Sequence, residues 1–285
     1  MVYIEQITIP ELSGETPRRL FVYVPEEMGP ELDMDDDPES PFEEEQEPSD
    51  WDAGQEGEES LEEERRYPVL YMFDGHNVFF DETATYGKSW GMKEFLDANH
   101  VPVIVVGIEC NHEGFRRLEE YSPYAGTVAG DLIGEAQGAI TMNWIVEELK
   151  PIIDDWFPTL PDREHTAVAG SSMGGLMALY AGTVYNSVFS RAACLSPCVS
   201  IDLPALLEDI RESTIGADTR IYMDLGSAEM GRRKRYFRDM ERVERLLFSK
   251  GALPCLRLVP GGTHSEASWE KQIPFFLGHL GLLGE

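Results

Sequence analysis

The feature that most constrains this chain is an apolar strand-like run that passes straight into an apolar helix-like one. Ala167-Val168-Ala169 reads as a short buried strand. Gly170-Ser171-Ser172-Met173-Gly174-Gly175 reads as a tight turn, and Leu176-Met177-Ala178-Leu179-Tyr180 as the start of a helix. Inside the turn lies Gly170-x-Ser172-x-Gly174, the G-x-S-x-G spacing of a nucleophile elbow. So sharp a turn brings the residues beside the serine close to neighbouring backbone, where glycine has no Cβ to collide. The serine is then held in a strained conformation with its Oγ exposed above the sheet. Ser172 has glycine two residues away on both sides. Ser171 lacks that spacing and is read as packing beneath the turn.

The rest of the chain alternates in the same way. Residues 2–9 and 19–25 alternate apolar and polar positions around Ser13-Gly14, which predicts an N-terminal hairpin. Strands are predicted at 67–73, 101–108, 165–169, 191–197, 220–226 and 255–259. Helices are predicted at 90–98, 139–157 (bent or restarted at Pro151), 174–182, 203–212, 232–250 and 269–283. Residues 111–131 read as a long polar, Gly-rich and aromatic loop. The continuous apolar run of 101–108 suits a strand buried on both faces. This order predicts a mostly parallel sheet covered by helices on both sides, with the hairpin adding antiparallel edge strands, in a single α/β domain over residues 1–285.

Residues 26–66 break the pattern. They hold 20 Asp and Glu against 2 Arg, with few large apolar residues, and so cannot bury enough surface to offset the entropy of ordering. We read them as a disordered acidic insertion in a surface loop. They also account for most of the net charge of −30; the remainder carries 33 acids and 21 basic residues, a net of −12. Such a chain should repel nucleic acid and anionic membrane surfaces. There is no run of about 18 apolar residues and no recognisable signal peptide, so no membrane association is expected. Cys110, Cys194, Cys198 and Cys255 are sparse and lie in or beside apolar runs, which points to reduced thiols in a cytoplasmic protein.

In open α/β sheets, ligands bind beyond the C-terminal ends of the strands. The turn at Asp74-Gly75-His76 and the loops after Ile108, Ala169, Leu225 and Val259 therefore converge there. A serine hydroxyl needs a base. Of the two histidines after Ser172, His279 lies in the apolar terminal helix and His264 in a Gly-rich strand-end loop, which makes His264 the candidate. The acid must lie between serine and histidine in the chain. Asp224 is still inside a strand, whereas Glu229 is in the loop beyond it, and that placement favours Glu229. An oxyanion hole needs two backbone N–H groups, which Met173 and His76 can supply. Asp74, His76, Cys110 and His112 match no standard metal-ligand spacing, so no metal and no organic cofactor is expected. Arg117 is read as paired with Glu119 or Glu120.

Tyr67-Pro-Val-Leu-Tyr-Met-Phe-Asp-Gly-His-Asn77, Glu120-Tyr-Ser-Pro123, Gly170-Ser-Ser-Met-Gly-Gly175, Leu195-Ser-Pro197 and Gly261-Gly-Thr-His264 occur in that order. Together they resemble the putative esterase family of α/β-hydrolases, which includes esterase D, enterochelin esterases and the feruloyl and acetylxylan esterases of carbohydrate esterase family one. The resemblance covers residues 15–25 and 67–280. It implies an α/β-hydrolase fold and a cofactor-free serine esterase acting on a small-molecule ester through an acyl-enzyme. It puts Ser172, His264 and an acidic loop residue on the triad positions, and supports Glu229. The acidic insertion departs from the family's usual short loop. An acyltransferase on the same triad and a non-catalytic binding protein are the alternatives left open.

Overall fold

The computed structural model describes residues 1–25, 65–128, 130–229 and 235–284. Residues 26–64, most of the acidic insertion, lie outside the described residues, as do residues 230–234, which include the first basic positions of the 232–250 helix.

The chain opens with β1 (Val2–Ile9), a single helical turn α1 (Pro10–Ser13) and β2 (Gly14–Tyr23). These two strands form the expected antiparallel hairpin, with Val2 opposite Tyr23. The second strand starts earlier than the alternation suggested, because Gly14, at φ +57°, turns the chain directly out of α1. Next come β3 (Val69–Phe73), α2 (Met92–Asn99) and β4 (Ile104–Ile108). The 111–131 region is not simply a loop. It contains α3 (Arg116–Glu120) and β5 (Gly126–Val128), and β5 pairs with β6 (Asp131–Ile133) as a separate ribbon.

Helix α4 (Gly138–Trp144) passes through one wide π-type turn (Ile145–Leu149) into α5 (Lys150–Trp156). Pro151 sits in the first turn of α5. Proline removes one amide donor and crowds the carbonyl four residues back, and a wider turn just before it relieves that crowding. Then follow β7 (Thr166–Ser171), α6 (Met173–Val184), β8 (Arg191–Leu195), α7 (Leu203–Glu212) and β9 (Arg220–Gly226). The chain continues through α8 (Arg235–Ser249), β10 (Leu253–Val259) and α9 (Glu266–Trp269), and ends on α10 (Ile273–Leu280).

Eight strands form one sheet in the order β1-β2-β4-β3-β7-β8-β9-β10. The hairpin joins β4 antiparallel, and every later pairing is parallel. Alternate residues feed two cores. Val69, Tyr71 and Phe73 of β3, with Ile221 and Met223 of β9, pack against α4 to α8 on one face. Leu70 and Met72 of β3, Val105 of β4 and Tyr222 of β9 pack against Met92 and Leu96 of α2 and Phe276 and Leu277 of α10 on the other. Both faces are therefore dry, as parallel strands require. All parallel strands end on the same edge, and that edge carries the site. Among the described residues, no helix is long and apolar enough to cross a membrane.

Candidate active site

Four non-glycine residues among those described have positive φ, and three of them lie at C-terminal strand ends on this edge: Asp74 after β3 (φ +60°), Ser172 after β7 (φ +57°) and Ser196 after β8 (φ +44°). Backbone strain of this kind persists only where the surroundings enforce it. At Ser172 the enforcement is visible. Its amide donates to Leu195 O at 2.9 Å and its carbonyl accepts from Cys198 N at 3.0 Å, so both sides of the turn are tied to the end of β8. A Cβ on Gly170 would lie 2.6 Å from the carbonyl carbon and oxygen of Gly174, so the first glycine of the motif is required by the second. Ser171 is buried beneath the turn, as its lack of flanking glycines suggests.

The loops after β9 and β10 are zipped together. Ser227 N donates to Val259 O, and Ala228 N to Gly262 O, at 2.9 and 3.0 Å. Gly226 and Gly262 touch so closely that a Cβ on Gly226 would sit 2.3 Å from Gly262 O. This contact brings Glu229 and His264 together: His264 Nδ1 is 2.7 Å from Glu229 Oε2. The other oxygen of Glu229 accepts from Ser196 Oγ at 2.7 Å and Gly226 N at 2.9 Å. Trp269 Nε1 donates to Ser196 Oγ at 3.2 Å, and its ring meets His264 edge to face at 5.0 Å. Burial opposes ionisation of Glu229, but the hydrogen bonds from His264, Ser196 and Gly226 outweigh it and hold the carboxyl below its ordinary range.

Asp224, the other candidate acid, lies elsewhere. It is buried and accepts from Ser196 N at 3.2 Å and Tyr222 OH at 3.1 Å. Burial pushes its carboxyl up to about 7 in spite of those bonds. His279, set aside as structural, contacts Leu253 O at 3.0 Å from α10.

Ser172 and His264 line the same two cavities. One, of about 490 Å³, is walled by Thr127, Val128, Cys198, Ile201, Leu225 and Tyr236. The other, of about 370 Å³, is more polar and includes Asp74, His76, His112, Arg117 and Glu266. Ser172 Oγ contacts Cys198 Sγ at 3.5 Å, and no hydrogen bond joins it to His264. Catalytic hydrogen bonds commonly tighten only when substrate is bound. Among the described residues, neither the Met173 N–H nor the His76 N–H meets a protein acceptor. The Asp74 turn abuts the first turn of α6: a Cβ on Gly174 would lie 2.9 Å from Phe73 Cβ and 3.4 Å from Asp74 Oδ2.

Arg117 pairs with neither Glu119 nor Glu120. It makes a two-pronged contact with Asp74, both bonds 2.6 Å, and stacks over Tyr121, whose hydroxyl accepts from Asp74 N. Glu120 is taken by Arg18, 102 residues away, in a buried bidentate pair. Several residues of the site escaped sequence reasoning. Ser196 and Trp269 brace Glu229, Cys198 touches the nucleophile, and Glu266 stands buried in the polar cavity. Only Ser196 had a signal, as part of Leu195-Ser-Pro197.

The profile of the family described as Putative esterase matches residues 58–280. A Bacillus subtilis protein, described as the uncharacterized protein YbbA, is 24% identical over 217 residues, covering 72% of this chain and 82% of its own. Among solved structures, an IroE-like serine hydrolase from Shewanella oneidensis superposes with a TM-score of 0.68 at 17% identity, over 98% of this chain and 79% of its own. The siderophore hydrolase EstA from Aspergillus nidulans does so with a TM-score of 0.65 at 18% identity, over 96% and 93%. These likenesses show a shared α/β-hydrolase fold.

Proposed function

The chain belongs to the Putative esterase family and is an esterase, and on that premise we propose that it is a serine carboxylesterase in which Ser172, His264 and Glu229 act as nucleophile, base and acid. The observation that carries this reading is the His264–Glu229 contact at 2.7 Å in the cavity that Ser172 lines. Ser172 Oγ attacks the ester carbonyl while His264 Nε2 takes its proton. Glu229 accepts from Nδ1, which fixes the tautomer that leaves Nε2 free as a base and stabilises the imidazolium that forms. The N–H groups of Met173 and His76 receive the oxyanion. His264 then protonates the leaving alcohol, and water cleaves the acyl-enzyme by the same route.

The two cavities that Ser172 lines provide for the two halves of an ester, one more apolar and one polar. His264 is 47% exposed, which gives deacylating water a path and favours hydrolysis over transfer to an acceptor alcohol. Its fold relatives include a siderophore hydrolase, so siderophore esters join aryl and acetyl-sugar esters as the substrates to screen. All four cysteines are free thiols, in keeping with a reducing, cytoplasmic setting. Residues 1–285 are read as one catalytic domain interrupted by an acidic insertion. The test is hydrolysis of p-nitrophenyl acetate and butyrate by the wild type and by Ser172→Ala. The variant should lose about 10³-fold or more in kcat; undiminished turnover would remove the reading.

A further inference from the structure

The polar cavity holds a cluster of side chains that ester hydrolysis does not use, since the role proposed above for His76 needs only its backbone N–H. His76 comes from the turn after β3, and Cys110 and His112 from the loop after the neighbouring parallel strand β4. One ligand-type atom from each lies within 4.8 Å of the others. His76 is 3% exposed, its Nε2 is engaged by Thr85 Oγ1 at 3.0 Å, and its Nδ1 is buried with no partner. A buried polar nitrogen without a partner calls for an explanation. His112 has its Nε2 held by Glu109 Oε1 at 3.0 Å, and Glu109 is in turn gripped by Arg19. The two imidazoles meet edge to face at 4.6 Å. Each imidazole thus has one nitrogen oriented by an outer group and the other left over, the arrangement found in metal-ligating histidines.

We propose that His76, Cys110 and His112 form a transition-metal site, with Zn²⁺ the ion their chemistry fits, on the wall of the cavity that Ser172 lines. Two imidazoles and a thiolate are a borderline-soft set that selects zinc over magnesium or calcium. Tetrahedral zinc with Zn–N of about 2.0 Å and Zn–S of about 2.3 Å sets its ligand atoms roughly 3.5 Å apart. With the ligand atoms within 4.8 Å of one another, the cluster needs to close by about 1 Å at most. His112, at 54% exposed, is free enough to supply that movement. All three residues line the cavity, which can supply water as the fourth ligand. On binding, the Cys110 sulfur–hydrogen bond breaks, a sulfur–zinc bond forms and the proton passes to solvent. Asp74 is not available as a ligand, since both of its oxygens are held by Arg117.

The site shares the His76 turn with the proposed oxyanion hole but uses different atoms, and its test reads binding rather than turnover. Chelator-treated protein of residues 1–285 is titrated with Zn²⁺ by calorimetry and with Co²⁺ by absorbance. One equivalent should bind, and Co²⁺ should give a thiolate-to-metal charge-transfer band. Cys110→Ser should abolish the band, and His112→Ala should weaken Zn²⁺ binding by about tenfold or more. Melting curves check that each variant folds; if Cys110→Ser does not, the half-exposed His112 variant decides. The 53 acidic residues of the chain can bind metal weakly without a site, so it is the variants that separate a built site from diffuse binding. No stoichiometric binding, or binding unchanged in the folded variants, would overturn the proposal.

Discussion

Glu229→Gln tests the proposed triad at its least obvious member, and its effect can be worked from the contacts. One Glu229 oxygen accepts two donors, Ser196 Oγ and Gly226 N, while the other faces His264 Nδ1. Glutamine has one carbonyl oxygen and one NH₂. The arrangement that keeps two of the three bonds puts the oxygen toward Ser196 and Gly226, and therefore the NH₂ toward His264. Nδ1 must then accept rather than donate, the ring proton moves to Nε2, and the base that should face Ser172 is lost. The reverse flip restores the tautomer but sets an NH₂ against the Gly226 N–H. Either way the carboxylate that stabilises the imidazolium is gone. The expected loss is about 10³-fold in kcat, about 4 kcal/mol of barrier. Asp224→Asn, which alters a group bonded to Ser196 N and Tyr222 OH, should change kcat by less than about fivefold. Steady-state kinetics on p-nitrophenyl butyrate, with melting curves to show that both variants fold, measure the contrast. Wild-type kcat in Glu229→Gln, or a larger loss in Asp224→Asn, would refute the assignment.

Two further outcomes follow from burial. Asp224 is buried and its folded pKa is raised to about 7, so the folded state holds that proton more tightly than the unfolded chain does. The stability this confers is complete below the unfolded value of about 3.9 and is lost as pH rises through about 7, a change of up to about 4 kcal/mol. Urea unfolding of wild type and Asp224→Asn between pH 4 and 8 should show the variant gaining relative to wild type as pH rises; a constant difference would contradict it. Gly170→Ala places a Cβ 2.6 Å from Gly174 backbone, and should destabilise by about 3 kcal/mol or more, read as a lower melting temperature; an unchanged melting temperature would show that the turn is looser than described.

The strands and their mostly parallel character were legible because parallel strands buried on both faces leave continuous apolar runs, and because Gly170-x-Ser172-x-Gly174 ties a strand to a helix. The 111–131 segment was not. Helix α3 is little more than one turn, and β5 and β6 have three residues each. Elements that short cannot display a period. Arg117 shows the same limit for charge: sequence proximity favours Glu119 or Glu120, but Arg18 reaches Glu120 from the far hairpin and leaves Arg117 to Asp74. Ser172, His264 and Glu229 could be nominated from strand-end position alone. The Ser196 and Trp269 bridge to Glu229 depends on tertiary contact, as does the gathering of His76 with Cys110 and His112. Spacing along the chain carries neither.

The most direct measurement is to treat the protein with an alkyl fluorophosphonate, which captures an activated serine, and to map the adduct by mass spectrometry. A serine nucleophile at the elbow predicts one adduct per chain, on Ser172 in the peptide around Gly170–Gly174, formed in step with loss of esterase activity and absent from Ser172→Ala. An adduct on another residue, or full inhibition with Ser172 unmodified, would contradict it.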